Sequence, residues 1–287
     1  IRIPFPVSWD FQNNLWAPAH LLLKGQSPYH IQEMIPKSNA VWMPAVISVF
    51  LPLGLLPVHY ASNLWLVINL LILFAIVGIS IQQLKHRRLA WFVVCVFGLV
   101  LFPPVLTHFL LGQISFLICL LFLAAIGYWQ QLPAAALGLI FSISVAKPQL
   151  ASFLFPTWLV VLLRQKAYRK VVLTCVWAVA WTGLFLIPFF LLAPGWSADF
   201  LANLTANKDW AHPSLISYLV HALPVNRYFV IIPWVALGLA GSLYLAVRLP
   251  ARTALLWSLA FTPLFSPYIW SWDFILFIPL VLETVFD

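Results

Sequence analysis

Nine apolar runs follow one another along this sequence, at about 60–83, 89–106, 113–129, 133–147, 149–163, 171–193, 229–247, 253–267 and 270–285. Several approach the roughly 20 residues that a helix needs to cross the hydrocarbon of a bilayer. Composition excludes a single soluble domain: of 287 residues, 63% are hydrophobic and 8% charged, whereas a water-facing surface needs about a quarter or more. The runs predict an all-α polytopic membrane bundle with about nine crossings in one unit, 1–287. Within it, 1–58 is a first external loop with interfacial helices, 59–193 a helical core, 194–228 an external loop and 229–287 the C-terminal helices. The chain opens Ile1-Arg2-Ile3-Pro4 without an initiator Met and stops at Asp287 just after an apolar run. It is expected to be the core of a longer protein.

The loops orient the bundle. Fifteen Lys and Arg against seven Asp and Glu give a net charge of +8, but nine of the bases cluster in three short loops without an acid. These are Lys85, Arg87 and Arg88; Arg164, Lys166, Arg169 and Lys170; and Arg248 and Arg252. Clustering between apolar runs reads as a signal for the cytoplasmic side rather than as a nucleic-acid footprint. Four runs separate the first loop from the second and two the second from the third, so all three fall on one side. The turn His108 to Gln113, the Lys147-Pro148 break, 194–228 and 266–273 then lie outside, with five of the seven acids.

Residues 41–57 are apolar enough for a helix, yet Pro44, Pro52 and Pro57 interrupt the backbone bonding that a spanning helix needs. The expectation is a broken helix in the outer interface. A stretch 14–23 reads as an amphipathic interfacial helix, and the many external Trp and Tyr as a headgroup belt. Cys95, Cys119 and Cys175 sit inside apolar runs without metal-ligand spacing and read as small core residues.

Three polar residues stand where a membrane should exclude them or where chemistry can use them. Lys147, in Val145-Ala146-Lys147-Pro148, is the only formal charge between Arg88 and Arg164. An unpaired, lipid-facing Lys costs at least about 2.5 kcal/mol, so it should face a cavity or snorkel to the headgroups. Asp10 in Trp9-Asp10-Phe11 and Asp273 in Trp272-Asp273-Phe274 each precede helical sequence and are by default caps. With Lys147 they offer two carboxylates and a cation on one aqueous face, enough for acid–base chemistry on a phosphate-bearing substrate. No Gly-rich phosphate loop, His/Cys cluster or Asp-rich metal motif occurs.

The order of motifs resembles glycosyltransferase family 87, formerly the DUF2029 family, of the GT-C class that uses polyprenyl-phosphate sugars. The matching elements are Trp9-Asp10-Phe11 with Lys24-Gly25-Gln26-Ser27-Pro28-Tyr29; Trp42-Met43-Pro44 leading to Pro52 and Leu56-Pro57; Leu111-Gly112-Gln113; Gly138 to Lys147-Pro148-Gln149; and Ser266-Pro267-Tyr268 with Asp273. Many relatives have Tyr-Pro-Pro where Trp42-Met43-Pro44 stands, and a helix that normally precedes the Asp-bearing loop is missing. The resemblance implies a GT-C bundle in a bacterial plasma membrane with its active site facing outside. Asp10 is then the general base. The donor phosphate falls to Lys147, with Arg227 and Lys208 next, and the sugar or acceptor to Gln113, Asp273, His212 and Tyr29. It also implies inversion and no metal or cofactor beyond the polyprenyl-phosphate sugar. The expected partners are membrane lipids and a glycolipid or polysaccharide acceptor, with no nucleic acid. The sugar is read as a mannose-like hexose or a pentose. The rival reading is a lipid or glycolipid transporter or flippase, for which internal repeats are expected and none is found.

Overall fold

The computed structural model describes residues 7–35, 40–82, 98–99, 101–206, 214–223 and 225–286, and every regular element among them is helical. Lys85, Arg87, Arg88, Cys95, Lys208 and His212 lie outside the described residues, as does most of the run 89–106.

Among the described residues, three helices are long and apolar enough to cross a membrane: Val58–Ser80, Tyr168–Leu192 and Arg227–Arg248. A fourth candidate is the pair Pro103–Leu111 and Ser115–Tyr128, which meet at 117°. Among the described residues the nine expected crossings therefore do not appear as nine helices of spanning length. The breaks fall where the apolar runs end, and the helices between them are short. Gly112 in the left-handed region forms the expected turn between His108 and Gln113, Pro133 and Pro148 each open a new helix, and the 11 residues of Ala134–Ser144 reach only about 17 Å.

Residues 41–57 form two short helices, Pro44–Val49 and Leu51–Gly54, each with Pro in its first turn and neither long enough to cross. The helical stretch 9–23 differs from the interfacial helix expected at 14–23. Phe11, Asn13, Leu15, Trp16, Ala17, Pro18, Ala19, Leu21 and Leu22 are all buried, leaving no broad lipid face. It has a π-turn at Gln12–Trp16 before Ala17–Leu23. Pro18 has no N–H to continue an α-helical ladder, and the wider turn absorbs that break. The helix is clamped against the proline-broken segment. Trp16 Nε1 donates to the Leu56 carbonyl at 2.9 Å, and a Cβ on Gly54 would sit 2.9 Å from the Ala19 backbone.

The bundle has two chemically distinct ends. Arg164, at the close of Leu154–Arg164, donates to the carbonyls of Ala246 and Leu249, and Lys170 donates to the Gln130 carbonyl at 3.0 Å. The second and third basic loops and the 129–133 turn thus share one end. Ala134–Ser144 runs from there to Lys147, and Ala251–Phe265 runs from there to Ser266 and Asp273. Ala134–Ser144 packs tightly on Tyr168–Leu192 through Gly138, where a Cβ would lie 2.6 Å from that of Trp177 and 2.7 Å from the Ala178 nitrogen. Any side chain there must force the two helices apart.

Candidate functional site

Asp10 lies in the first turn of a helix whose start hangs on another. Ser8, at φ 63°, donates its N–H to the Leu110 carbonyl at 2.6 Å, tying the entry of the 9–23 stretch to the end of Pro103–Leu111. That helix is closed by Gly112 at φ 68°, whose N–H reaches the His108 carbonyl at 2.9 Å. A Cβ on Gly112 would stand 2.8 Å from Phe11 Cβ, so only glycine allows both the left-handed turn and the approach of the Asp10 helix. Trp65 Nε1 fixes the Gly112 carbonyl at 2.8 Å, and its ring stacks on Phe11. The next residue, Gln113, is aimed at Asp10 by this turn. Gly112→Ala should therefore misplace Gln113 and lower transfer activity at least tenfold. It should also cost about 1 to 2 kcal/mol of stability from the left-handed backbone alone, read by thermal unfolding of the purified protein. Unchanged activity would mean that the turn does not position the site.

The side chains form a continuous chain. Gln113 Nε2 donates to Asp10 Oδ2 through a short hydrogen bond, and Gln113 Oε1 accepts from Lys147 Nζ at 2.9 Å. Lys147 Nζ also donates to Ser115 Oγ at 2.8 Å and to Asp273 Oδ1 at 3.0 Å, and Ser115 Oγ donates to the same Asp273 oxygen at 2.5 Å. All three ammonium protons are used. The Trp42 ring lies 5.2 Å from Nζ. Lys147 is 6% exposed and Asp273 is fully buried, making this a buried ion pair.

Local sequence explains each placement. Lys147 precedes Pro148 and takes an extended backbone (φ −126°, ψ 77°), which ends one helix and turns its side chain inward before the next. Asp273 is the third residue of the 3₁₀ helix Ser271–Phe277 and accepts from the Trp270 N–H at 3.2 Å, so it is a cap and a site residue at once. Asp10, by contrast, makes no cap; its carboxylate is committed to Gln113.

Burial pushes the Asp10 carboxyl up to about 6, with the Asp273 charge adding to it and the Lys147 charge and the Gln113 hydrogen bond opposing it. Tyr268 senses both carboxylates; burial first, and then those charges, push its phenol above the usual range. With both acids ionised the cluster carries one net negative charge. It is better suited to accept a proton than to cradle a phosphate.

Four of the eight residues expected at the site, Asp10, Gln113, Lys147 and Asp273, are brought together. Tyr29 is buried outside the chain of contacts; its hydroxyl donates to the Trp42 carbonyl at 3.0 Å, so it supports the residue that covers Lys147. Arg227 is exposed at the start of Arg227–Arg248, against the hydroxyl and ring of its neighbour Tyr228. Lys208 and His212 lie outside the described residues. Ser115 and Trp42 are the members that sequence reasoning missed as site residues. A serine two positions after Gln113, opening an apolar helix, was the available signal for the first.

No three His, Cys, Asp or Glu side chains among the described residues converge as a metal site. No curated protein and no solved structure matches the chain. Gln113, Ser115 and Lys147 fall inside the span of residues matched by a family model, 43–267, whereas Asp10 and Asp273 flank it. That span covers most of the chain and its description is glycosyltransferase family 87: the protein belongs to glycosyltransferase family 87.

Proposed function

We propose that this membrane-helical glycosyltransferase moves a sugar, a mannose-like hexose or a pentose, from a polyprenyl phosphate to a lipid-linked or polysaccharide acceptor, with inversion. The observation that carries the reading is Asp10: a half-buried carboxylate, raised to about 6 and oriented by an amide that Lys147 holds in place. A base with that value is largely ionised at neutral pH while keeping a useful affinity for a proton. The acceptor hydroxyl attacks the anomeric carbon on the face opposite the phosphate. Its proton passes to Asp10, the new carbon–oxygen bond forms, and the bond to the phosphate oxygen breaks with its electron pair.

Lys147 serves this step first by fixing Gln113. To touch the leaving phosphate it must exchange one of its three contacts, and Gln113 Oε1 is the partner not bound to Asp273. Arg227 and Lys208 remain the second choice for the phosphate. The test is transfer by the purified full-length protein from a panel of polyprenyl-phosphate sugars; transport of intact donor with neither hydrolysis nor transfer to any acceptor would favour the flippase reading.

The orientation is part of the proposal: the Asp10 end faces outside a bacterial plasma membrane and the basic loops face the cytoplasm. Cysteine placed at the exposed Gln26 should react with an impermeant thiol reagent on intact cells, and cysteine at Lys166 should be protected. The reverse pattern would turn the site to the cytoplasm and rule out an external acceptor.

A further inference from the structure

The end of the bundle opposite Asp10 carries an unassigned cavity of about 460 Å³, open to the surface and lined by Lys166, Arg169, Lys170, Leu132, Pro133 and Leu173 among others. Three cations and an apolar wall meet there. None of the three cations joins any ion pair given by the described residues, whose carboxylates Asp199, Asp273 and Glu283 pair elsewhere.

Two of the cations are held in place. Lys170 Nζ donates to the Gln130 carbonyl at 3.0 Å and lies 5.6 Å from the Trp129 ring centroid, which leaves its remaining protons for a ligand. Lys166 sits at φ 57°, where glycine is the usual residue. Its N–H bonds to Leu163 and that of Ala167 to Leu162, each at 3.0 Å, closing Leu154–Arg164 as a Schellman turn. A lysine at this position bears a conformational cost that glycine does not, and in return carries its charge to the cavity. Arg169 is exposed in the first turn of Tyr168–Leu192.

The apolar wall continues along that helix. Leu173 at the cavity is followed by Val176 and Trp177, one turn on, exposed by 58% and 43%. The helix is apolar and spanning in length, and 6% of its apolar window is buried, so this face lies against acyl chains. The geometry points to a binding site for an anionic phospholipid, its phosphodiester among Lys166, Arg169 and Lys170 and an acyl chain along Leu173, Val176 and Trp177. Anionic rather than zwitterionic headgroups fit because, among the described residues, no carboxylate lines the cavity to receive a headgroup amine. A phosphate without a chain would leave the Leu173 wall unused.

The test uses the full-length protein in nanodiscs of phosphatidylcholine with increasing phosphatidylglycerol, reading thermal stability and the lipid retained in native mass spectrometry. Wild type should retain phosphatidylglycerol and gain stability with it. Lys166→Gly removes a cation while suiting the left-handed turn, so it should be at least as stable in pure phosphatidylcholine yet bind phosphatidylglycerol about fivefold more weakly, the effect of one surface cation on an anionic lipid. Arg169→Gln should do the same, and Arg169→Lys should lose less. Equal retention of the two lipids by wild type, or full phosphatidylglycerol preference in both charge-removing variants, would overturn the site. So would a stability gain from inorganic phosphate or glycerol phosphate equal to that from the lipid. Displacement of phosphatidylglycerol by equimolar polyprenyl phosphate would reassign the cavity to the donor and likewise overturn it.

Discussion

Asp10→Asn should lower transfer by roughly two to four orders of magnitude, the usual contribution of a positioned general base, while leaving the fold intact. The amide cannot take the acceptor proton, but its oxygen still accepts from Gln113 Nε2, the contact that Asp10 makes now. Asp10 supplies no helix cap that the change would remove. In wild type the transfer rate should rise about tenfold per pH unit up to about pH 6 and level off above it, because burial holds the proton on Asp10 until that pH. The slope should be missing from the small residual rate of Asp10→Asn.

The acid loss is not expected to come from unfolding through this group. A carboxyl at its ordinary value of 3.8 ionises earlier in the unfolded chain than Asp10 does in the fold. Its contribution to stability is therefore complete below pH 3.8 and is lost as the pH rises through 6. Activity that falls reversibly between pH 6 and 5, with no loss of thermal stability, separates titration of the base from denaturation. Unchanged transfer by a stable Asp10→Asn protein would move the base to another group, Asp273 first.

The site residues were legible one at a time. Lys147 is a charge between apolar runs, Gln113 follows a glycine at a helix end, and Asp10 and Asp273 are acids at the edge of apolar sequence. Their convergence was not legible, because it depends on where four separate helices stop. The turn at His108 to Gln113 and the Lys147-Pro148 break are legible in the sequence, but the left-handed backbone of Gly112 and the extended backbone of Lys147 that aim the side chains there are not. Ser115 escaped for a related reason: a serine in an apolar helix usually bonds back to its own backbone, as Ser144 does to Ile140. The 14–23 stretch was misread because its polar residues face protein. His20 Nδ1 contacts the Gly54 carbonyl at 2.8 Å, a contact that no sequence period encodes.

The buried pair gives the largest expected effect on stability. Asp273→Ala leaves Lys147, 6% exposed, without its counter-charge and removes the acceptor of both Ser115 Oγ and the Trp270 N–H. Removing one member of such a pair costs about 3 to 5 kcal/mol, because the remaining charge stays desolvated and unpaired. The single change Lys147→Met should also destabilise, leaving Asp273 as the unpaired charge. Combining Lys147→Met with Asp273→Asn should recover most of the loss. Neither position then buries a charge, and the Asn oxygen can accept from the Trp270 N–H while its amide nitrogen donates to Ser115 Oγ, and Met fills the space along Trp42 without needing a partner. Thermal unfolding of purified Lys147→Met, Asp273→Asn and the double variant completes the cycle. A double variant as unstable as the sum of the singles would show that the two residues contribute independently, and that the contact between Lys147 and Asp273 is not what holds this end of the bundle together.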